Sequence, residues 1–196
     1  MRTHLRLLRL LTVLVVVVAA LAAVAARPRA GLAFSQSPAP IFINEIHYDN
    51  LGADSGEFVE VAGPAGTDLT GWSLVLYNGP NPYGTAAALP SPIPDLGGGF
   101  GVVVVNYPSN GIQNGTADGV ALVNATTVVQ LLSYEGFFTA ASGPASGLIS
   151  TDIGVAESDT TPAGFSLQLG GTGSSYQTFS WRGADTATPG AFNIRQ

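Results

Sequence analysis

From residue 41 onward the chain is a succession of short β-branched and aromatic runs, each closed by glycine, asparagine or proline, and no stretch keeps a helical period. The clearest run is Trp72–Tyr77, where Trp72, Leu74 and Leu76 alternate with Ser73, Val75 and Tyr77. A period of two places alternate side chains on opposite faces of a sheet. Similar runs predict strands over Ile41–Tyr48, Glu57–Ala62, Phe100–Asn106, Val120–Asn124, Val128–Tyr134, Phe165–Leu169 and Thr178–Arg182. The four consecutive valines Val102–Val105 suit a strand buried on both faces. Turn signals separate the runs: Asn78-Gly79, Asn110-Gly111, Asn114-Gly115, Asp118-Gly119 and a flexible Gly97-Gly98-Gly99. A hairpin is expected around Ala125-Thr126. Short strands at this spacing predict an all-β sandwich or barrel. The stretches 78–99 and 135–164 exceed ordinary loop lengths. Each has room for a further short strand or for a functional loop wrapped over the sheets.

A strand-rich reading needs a core, because nothing else can hold the fold. The chain has no cysteine, so no disulfide frame exists. Hydrophobic residues make up 46% of the chain, enough to argue against disorder despite 25 glycines and 13 prolines. The indole of Trp72, entered through Gly71, is expected to fill that core.

The N-terminus has a different character. Met1–Leu10 is basic, Leu10–Ala26 is apolar apart from Thr12, and small residues follow. This three-part layout predicts a helical secretory signal peptide over residues 1–33, with cleavage sites after Ala25, Ala26 or Ala33. Cleavage after Gly31-Leu32-Ala33 satisfies the small-residue rule best. The alternative is an uncleaved membrane anchor, although spanning takes about 20 apolar residues. Residues 34–40 read as a short linker, and 41–196 as one domain with no internal repeat. The expected location is therefore outside the cell. Asn114-Gly115-Thr116 and Asn124-Ala125-Thr126 are glycosylation sequons, relevant only in a host with that machinery.

Charge then narrows the partners. After residue 30 the chain carries only Arg182 and Arg195 against all 13 acids, a net −11, and it has no lysine anywhere. Such a surface repels phosphate backbones, so direct nucleic-acid binding is not expected. Solubility outside the cell explains the acidity, and divalent-cation binding is the sharper alternative.

Chemistry-bearing groups are few. His47 is the one histidine past the signal segment. Neither a Cys-His pair nor a Gly-x-Ser-x-Gly elbow exists. Gly170-Gly171-Thr172-Gly173 lacks the helix that a dinucleotide turn opens. The best constellation is acidic: Asp49, Asp54, Glu57 and Glu60 lie in and just after the loop between the first two predicted strands. Hard oxygen donors on a Gly-containing loop suit Ca²⁺, which takes roughly 6–8 oxygens. Strand alternation separates Glu57 from Glu60, so Asp49, Asp54 and Glu57 form the candidate metal set, beside the plainer reading of solvated loop acids. Asp54 and Glu57 also resemble a glycosidase carboxylate pair, without a substrate cleft to support it. No catalytic residue and no other cofactor is expected.

Three segments carry a family resemblance: Ile41-Phe-Ile-Asn-Glu-Ile46, Gly56-Glu-Phe-Val-Glu-Val61 and Asp68-Leu-Thr-Gly-Trp-Ser-Leu74. They resemble the "INEI", "GEFVEL" and "DLSGW-x-L" strands of the bacterial lamin-tail domain, with Val61 in place of leucine and Thr70 in place of serine. Later segments are similar to members found at the N-terminus of secreted nucleases: Tyr107–Gly115, Leu132–Gly136, Thr151–Gly154, Ser166–Leu169 and Thr188–Gly190. The resemblance spans roughly residues 41–196. It implies an immunoglobulin-like β-sandwich acting as a non-catalytic binding or scaffolding module. The implied partner is an extracellular protein, a polysaccharide or a linked enzyme domain, and the module is expected to be a monomer. Two alternatives stand beside it: the N-terminal part of an extracellular nuclease, and a membrane-tethered adhesion module. Asn44 and Glu45 are expected to tie the sandwich edge through hydrogen bonds to backbone.

Overall fold

The computed structural model describes residues 40–196. The predicted signal peptide (1–33) and all but the last residue of the predicted linker lie outside the described residues. No described helix is long and apolar enough to cross a membrane.

Among the described residues, ten strands form two five-stranded sheets. The first sheet has the order β10-β9-β1-β2-β5, built from β1 (Phe42–His47), β2 (Phe58–Pro64), β5 (Phe100–Asn106), β9 (Phe165–Gly171) and β10 (Phe179–Thr186). The second has the order β4-β3-β6-β7-β8, built from β3 (Trp72–Asn78), β4 (Asn81–Ala88), β6 (Asp118–Asn124), β7 (Thr127–Tyr134) and β8 (Thr151–Asp152). Every pairing is antiparallel except β7 with β8. The strand-rich sandwich read from the period-two runs is therefore present. β4 occupies the first of the two long stretches, and the second carries β8 and wraps the sheet.

The core lies between the sheets. Ile43, Ile46, Val59, Val61 and Leu167 of the first sheet meet Leu74, Leu76, Val120, Leu122 and Leu132 of the second, with Leu69, Leu89, Ile93 and Ile112 closing the ends. Each such side chain, fully buried, contributes roughly 1.5–3 kcal/mol. With no disulfide available, this burial is the main favourable term.

A bulge in β1 sets the facing. The register to β2 shifts between Ile43 and Glu45, so Asn44 has no opposite residue. One extra residue flips the alternation. Ile43 and Ile46 can then both enter the core although they are three apart. The bulge also frees the Ile43 N–H, which donates across the sandwich to Gln130 Oε1 of β7 at 2.7 Å.

Four expectations need correction. Trp72 is only partly buried and packs on the rim of the core, because it opens its strand at the sheet's end. Gly71 does provide the turn into that strand, at φ +83°. Val75 and Tyr77, the alternate face of β3, are buried too: with Ala121, Val123, Val128 and Leu131 they pack under Phe138, Ala140 and Ala145 of the wrapping segment. The valine strand β5 is an edge, so Val102 and Val103 are buried while Val104 and Val105 are half-exposed. β1 is the central strand of its sheet, not an edge, and so Asn44 and Glu45 work in the middle of the sheet.

Candidate functional site

The candidate metal residues follow directly from the end of β1. The loop 48–57 is shaped by Asn50, whose Oδ1 accepts from Ser55 N at 3.0 Å while its Nδ2 donates to the Leu51 and Ala53 carbonyls at 3.1 and 3.2 Å. Asp54 then faces back: Oδ1 accepts from Asn50 N at 3.1 Å and Oδ2 from Asn114 Nδ2 at 3.1 Å. Asp49 and Asp54 are brought side by side. Burial, and then the adjoining Asp54 carboxyl, push the Asp49 pKa up to about 6. Asn114 also lines a polar cavity of about 250 Å³ with Asn78, Gln113, Gly115, Thr116 and Asp118.

Glu57 does not join that pair in one cluster. Its side chain is fully buried, and its two oxygens accept from the main-chain N–H groups of Gly111 and Ile112 at 2.8 and 2.9 Å. Burial raises its pKa, and those two N–H groups oppose the rise. Among the described residues no group of three or more His, Asp or Glu side chains is arranged to hold a metal ion.

The sequence reading missed the organiser of the region. Glu157, from the wrapping segment, lies 110 residues from His47 yet pairs with its Nδ1 at 2.9 Å. Glu157 Oε2 also accepts from Tyr48 N at 2.6 Å and Asp49 N at 3.1 Å, and Glu157 N–H donates to the Tyr48 hydroxyl at 2.8 Å. The Tyr48 hydroxyl in turn donates to Glu135, and its ring stacks on Tyr134 with centroids 3.9 Å apart. Burial works against a charged imidazole at His47, but Glu157 and the Ser55 carbonyl outweigh it and hold its pKa above the ordinary value. No local pattern around Glu157 signals this role, since its partners come from the other end of the chain.

A second group of acids sits on the outward side of the first sheet, under the C-terminal segment. Glu45 accepts from Ser166 and Gln168 side chains, from Thr188 N at 2.8 Å and from Thr188 Oγ1 at 2.9 Å. Glu60 accepts from Asn44 Nδ2 at 3.0 Å and Gly190 N at 2.7 Å. Asn193 Nδ2 donates to the Asn44 and Leu169 carbonyls at 3.0 and 2.9 Å. Burial pushes the Glu60 pKa up to about 8, against those two hydrogen bonds, with the Glu45 charge adding to the rise. Here the Thr188-Pro-Gly190 segment acts as a strap whose N–H groups are the acids' partners.

Searches against protein-family models, curated proteins and solved structures find no match to this chain.

The Glu60 shift has a measurable consequence. The folded protein keeps a proton at Glu60 up to about pH 8, whereas the unfolded chain releases it near 4.5. Where the folded state binds more protons, stability falls as pH rises, so the loss spans the window between those two values. The urea midpoint is expected to be higher at about pH 5 than at about pH 8.5, with a smaller difference in Glu60→Gln. An equal pH dependence in the two proteins contradicts the assignment.

Proposed function

We propose that this chain is a secreted, non-catalytic binding or scaffolding module of the lamin-tail type, with an immunoglobulin-like arrangement of its two sheets. One observation carries the reading. The three glutamates of the first two resembling motifs are buried as acceptors for the protein's own groups: Glu45 for Thr188, Glu57 for Gly111 and Ile112, Glu60 for Asn44 and Gly190. An acid used as a general base or nucleophile must reach a substrate, whereas these stabilise the fold. The three motif segments also run into the first three strands, with the chain crossing between sheets after β2, β4, β5 and β8. Such crossings suit a Greek-key sandwich. Export rests on the basic and apolar pattern of residues 1–33. The partner would be an extracellular protein, a polysaccharide or a linked enzyme domain.

The first test is chemical silence. Purified protein incubated with single- and double-stranded DNA, in Mg²⁺ and in Ca²⁺, should leave both substrates intact. Cleavage that survives repurification and disappears in Asp54→Ala would replace the module reading with the nuclease one.

Calcium, as a structural ion at the Asp49–Asp54 pair, has its own readout. Binding to the folded state alone stabilises it by about 2.7 kcal/mol at 100 times the dissociation constant. The melting temperature should rise with Ca²⁺ in the wild type and stay flat in Asp54→Ala. Identical titrations of the two proteins would leave the pair as ordinary loop acids.

A further inference from the structure

Asparagine before glycine is prone to deamidation, because glycine has no Cβ to shield the nitrogen that attacks the side chain. The chain has three such bonds, Asn78-Gly79, Asn110-Gly111 and Asn114-Gly115, and all three asparagines are exposed. Their glycines are hard to replace. Gly79 lies at φ +51°, in the left-handed region. A Cβ on Gly111 would come within 2.6 Å of the Pro108 carbonyl oxygen, and one on Gly115 within 3.1 Å of Asp118 Oδ2.

The glycine nitrogens themselves are held. Gly79 N donates to Asp118 Oδ1 at 2.9 Å, and Gly115 N donates to Asp118 Oδ2 at 3.0 Å. One buried carboxylate thus takes the attacking nitrogens of two turns. Gly111 N donates to Glu57 Oε2 at 2.8 Å and shares its proton with the Pro108 carbonyl at 2.9 Å. Every Asn-Gly bond in the chain therefore has its glycine N–H on a buried carboxylate, although the three turns lie in different parts of the sequence.

The chemistry shows why that contact matters. Ring closure requires the glycine nitrogen to lose its proton to hydroxide and to attack the asparagine Cγ. The N–Cγ bond forms, the Cγ–Nδ2 bond breaks, and Nδ2 leaves as ammonia with a proton from water. Water then opens the succinimide at either bond between its nitrogen and a carbonyl carbon, which gives aspartate or isoaspartate. A carboxylate in hydrogen-bond contact with the nitrogen opposes the first step in two ways. It accepts the N–H, and that charge-assisted bond must be given up. Its negative charge also disfavours a second anion beside it.

We propose that Asp118 and Glu57 guard three latent deamidation sites, Asp118 holding Asn78-Gly79 and Asn114-Gly115 closed to succinimide formation and Glu57 holding Asn110-Gly111. Modification of Asn114 has the widest consequence. Its Nδ2 donates to Asp54 Oδ2 at 3.1 Å, so deamidation replaces that donor with a carboxylate set against Asp54 and its neighbour Asp49. This inference goes beyond the binding-module reading and does not depend on it.

The test is peptide mapping by mass spectrometry during incubation in mildly alkaline buffer, with aspartate and isoaspartate counted at each site. In the folded wild type all three sites should react at least about tenfold more slowly than in the same protein unfolded in urea, because a hydrogen bond to a charged acceptor is worth at least that factor. Asp118→Ala frees two of the nitrogens and leaves the third on Glu57. Asp118→Asn is unsuitable, since it places another asparagine before a glycine, Gly119. In Asp118→Ala, Asn78 and Asn114 should deamidate at least about tenfold faster than in the wild type while Asn110 keeps its rate. A rise at Asn110 as well marks general unfolding, and Asp118→Ser, which keeps an oxygen on a shorter side chain, then serves in its place with the same expected excess of Asn78 and Asn114 over Asn110. Wild-type rates at Asn78 and Asn114 in the folded variant overturn the proposal. So does a folded wild-type rate equal to the rate in urea at any of the three sites.

Discussion

A carboxylate buried with almost no cations in the chain has to find its positive partners in the main chain. That constraint organises this protein. Past residue 30 there are two arginines for 13 acids, yet Glu45, Glu57, Glu60 and Glu157 are all inside. Arg195 pairs with Asp185 on the surface and reaches none of them. Each buried acid therefore accepts from N–H groups of a segment distant in sequence: 107–115 for Glu57, 187–196 for Glu45 and Glu60, and the end of β1 for Glu157. Where the acid is ionised such bonds are charge-assisted and stronger than neutral ones, while Glu60, which burial keeps protonated up to about pH 8, makes its two contacts as a neutral acceptor. The acids act as pins that fix three otherwise irregular segments onto the sandwich.

This pinning explains how long stretches without regular structure stay ordered. The segment after β7 covers the outer face of the second sheet with Phe138, Ala140 and Ala145, then returns to β1 through Glu157. The C-terminal segment covers the outer face of the first sheet through Thr188, Gly190 and Asn193. Apolar packing supplies most of the driving force, and the buried acids specify where each covering segment lies.

The strands were largely legible because period-two patterning is local. β1, β2, β3, β5, β6, β7 and β9 all coincide with β-branched or aromatic runs, within a residue or two at their ends. β4 was not, because Asn81-Pro-Tyr-Gly-Thr-Ala-Ala-Ala88 has no alternation and forms through its partner β3 on an exposed edge. Facing was less legible. Alternation in β3 assigns one face correctly, but the burial of Val75 and Tyr77 depends on a segment some sixty residues away. The candidate site was legible only as acid density. That Asp49 and Asp54 adjoin, that Glu57 turns to Gly111 and Ile112, and that Glu157 anchors His47 all depend on contacts across tens of residues, which no local motif encodes.

The most direct test of the pinning account is the stability of Glu57→Gln. The amide keeps the size of the side chain but retains one acceptor oxygen for two main-chain donors, leaving Gly111 or Ile112 N–H unsatisfied in a buried site. Equilibrium urea unfolding should show a loss of about 1–3 kcal/mol with the far-ultraviolet β signature intact. Stability equal to the wild type would contradict the claim that buried carboxylates hold the covering segments in place.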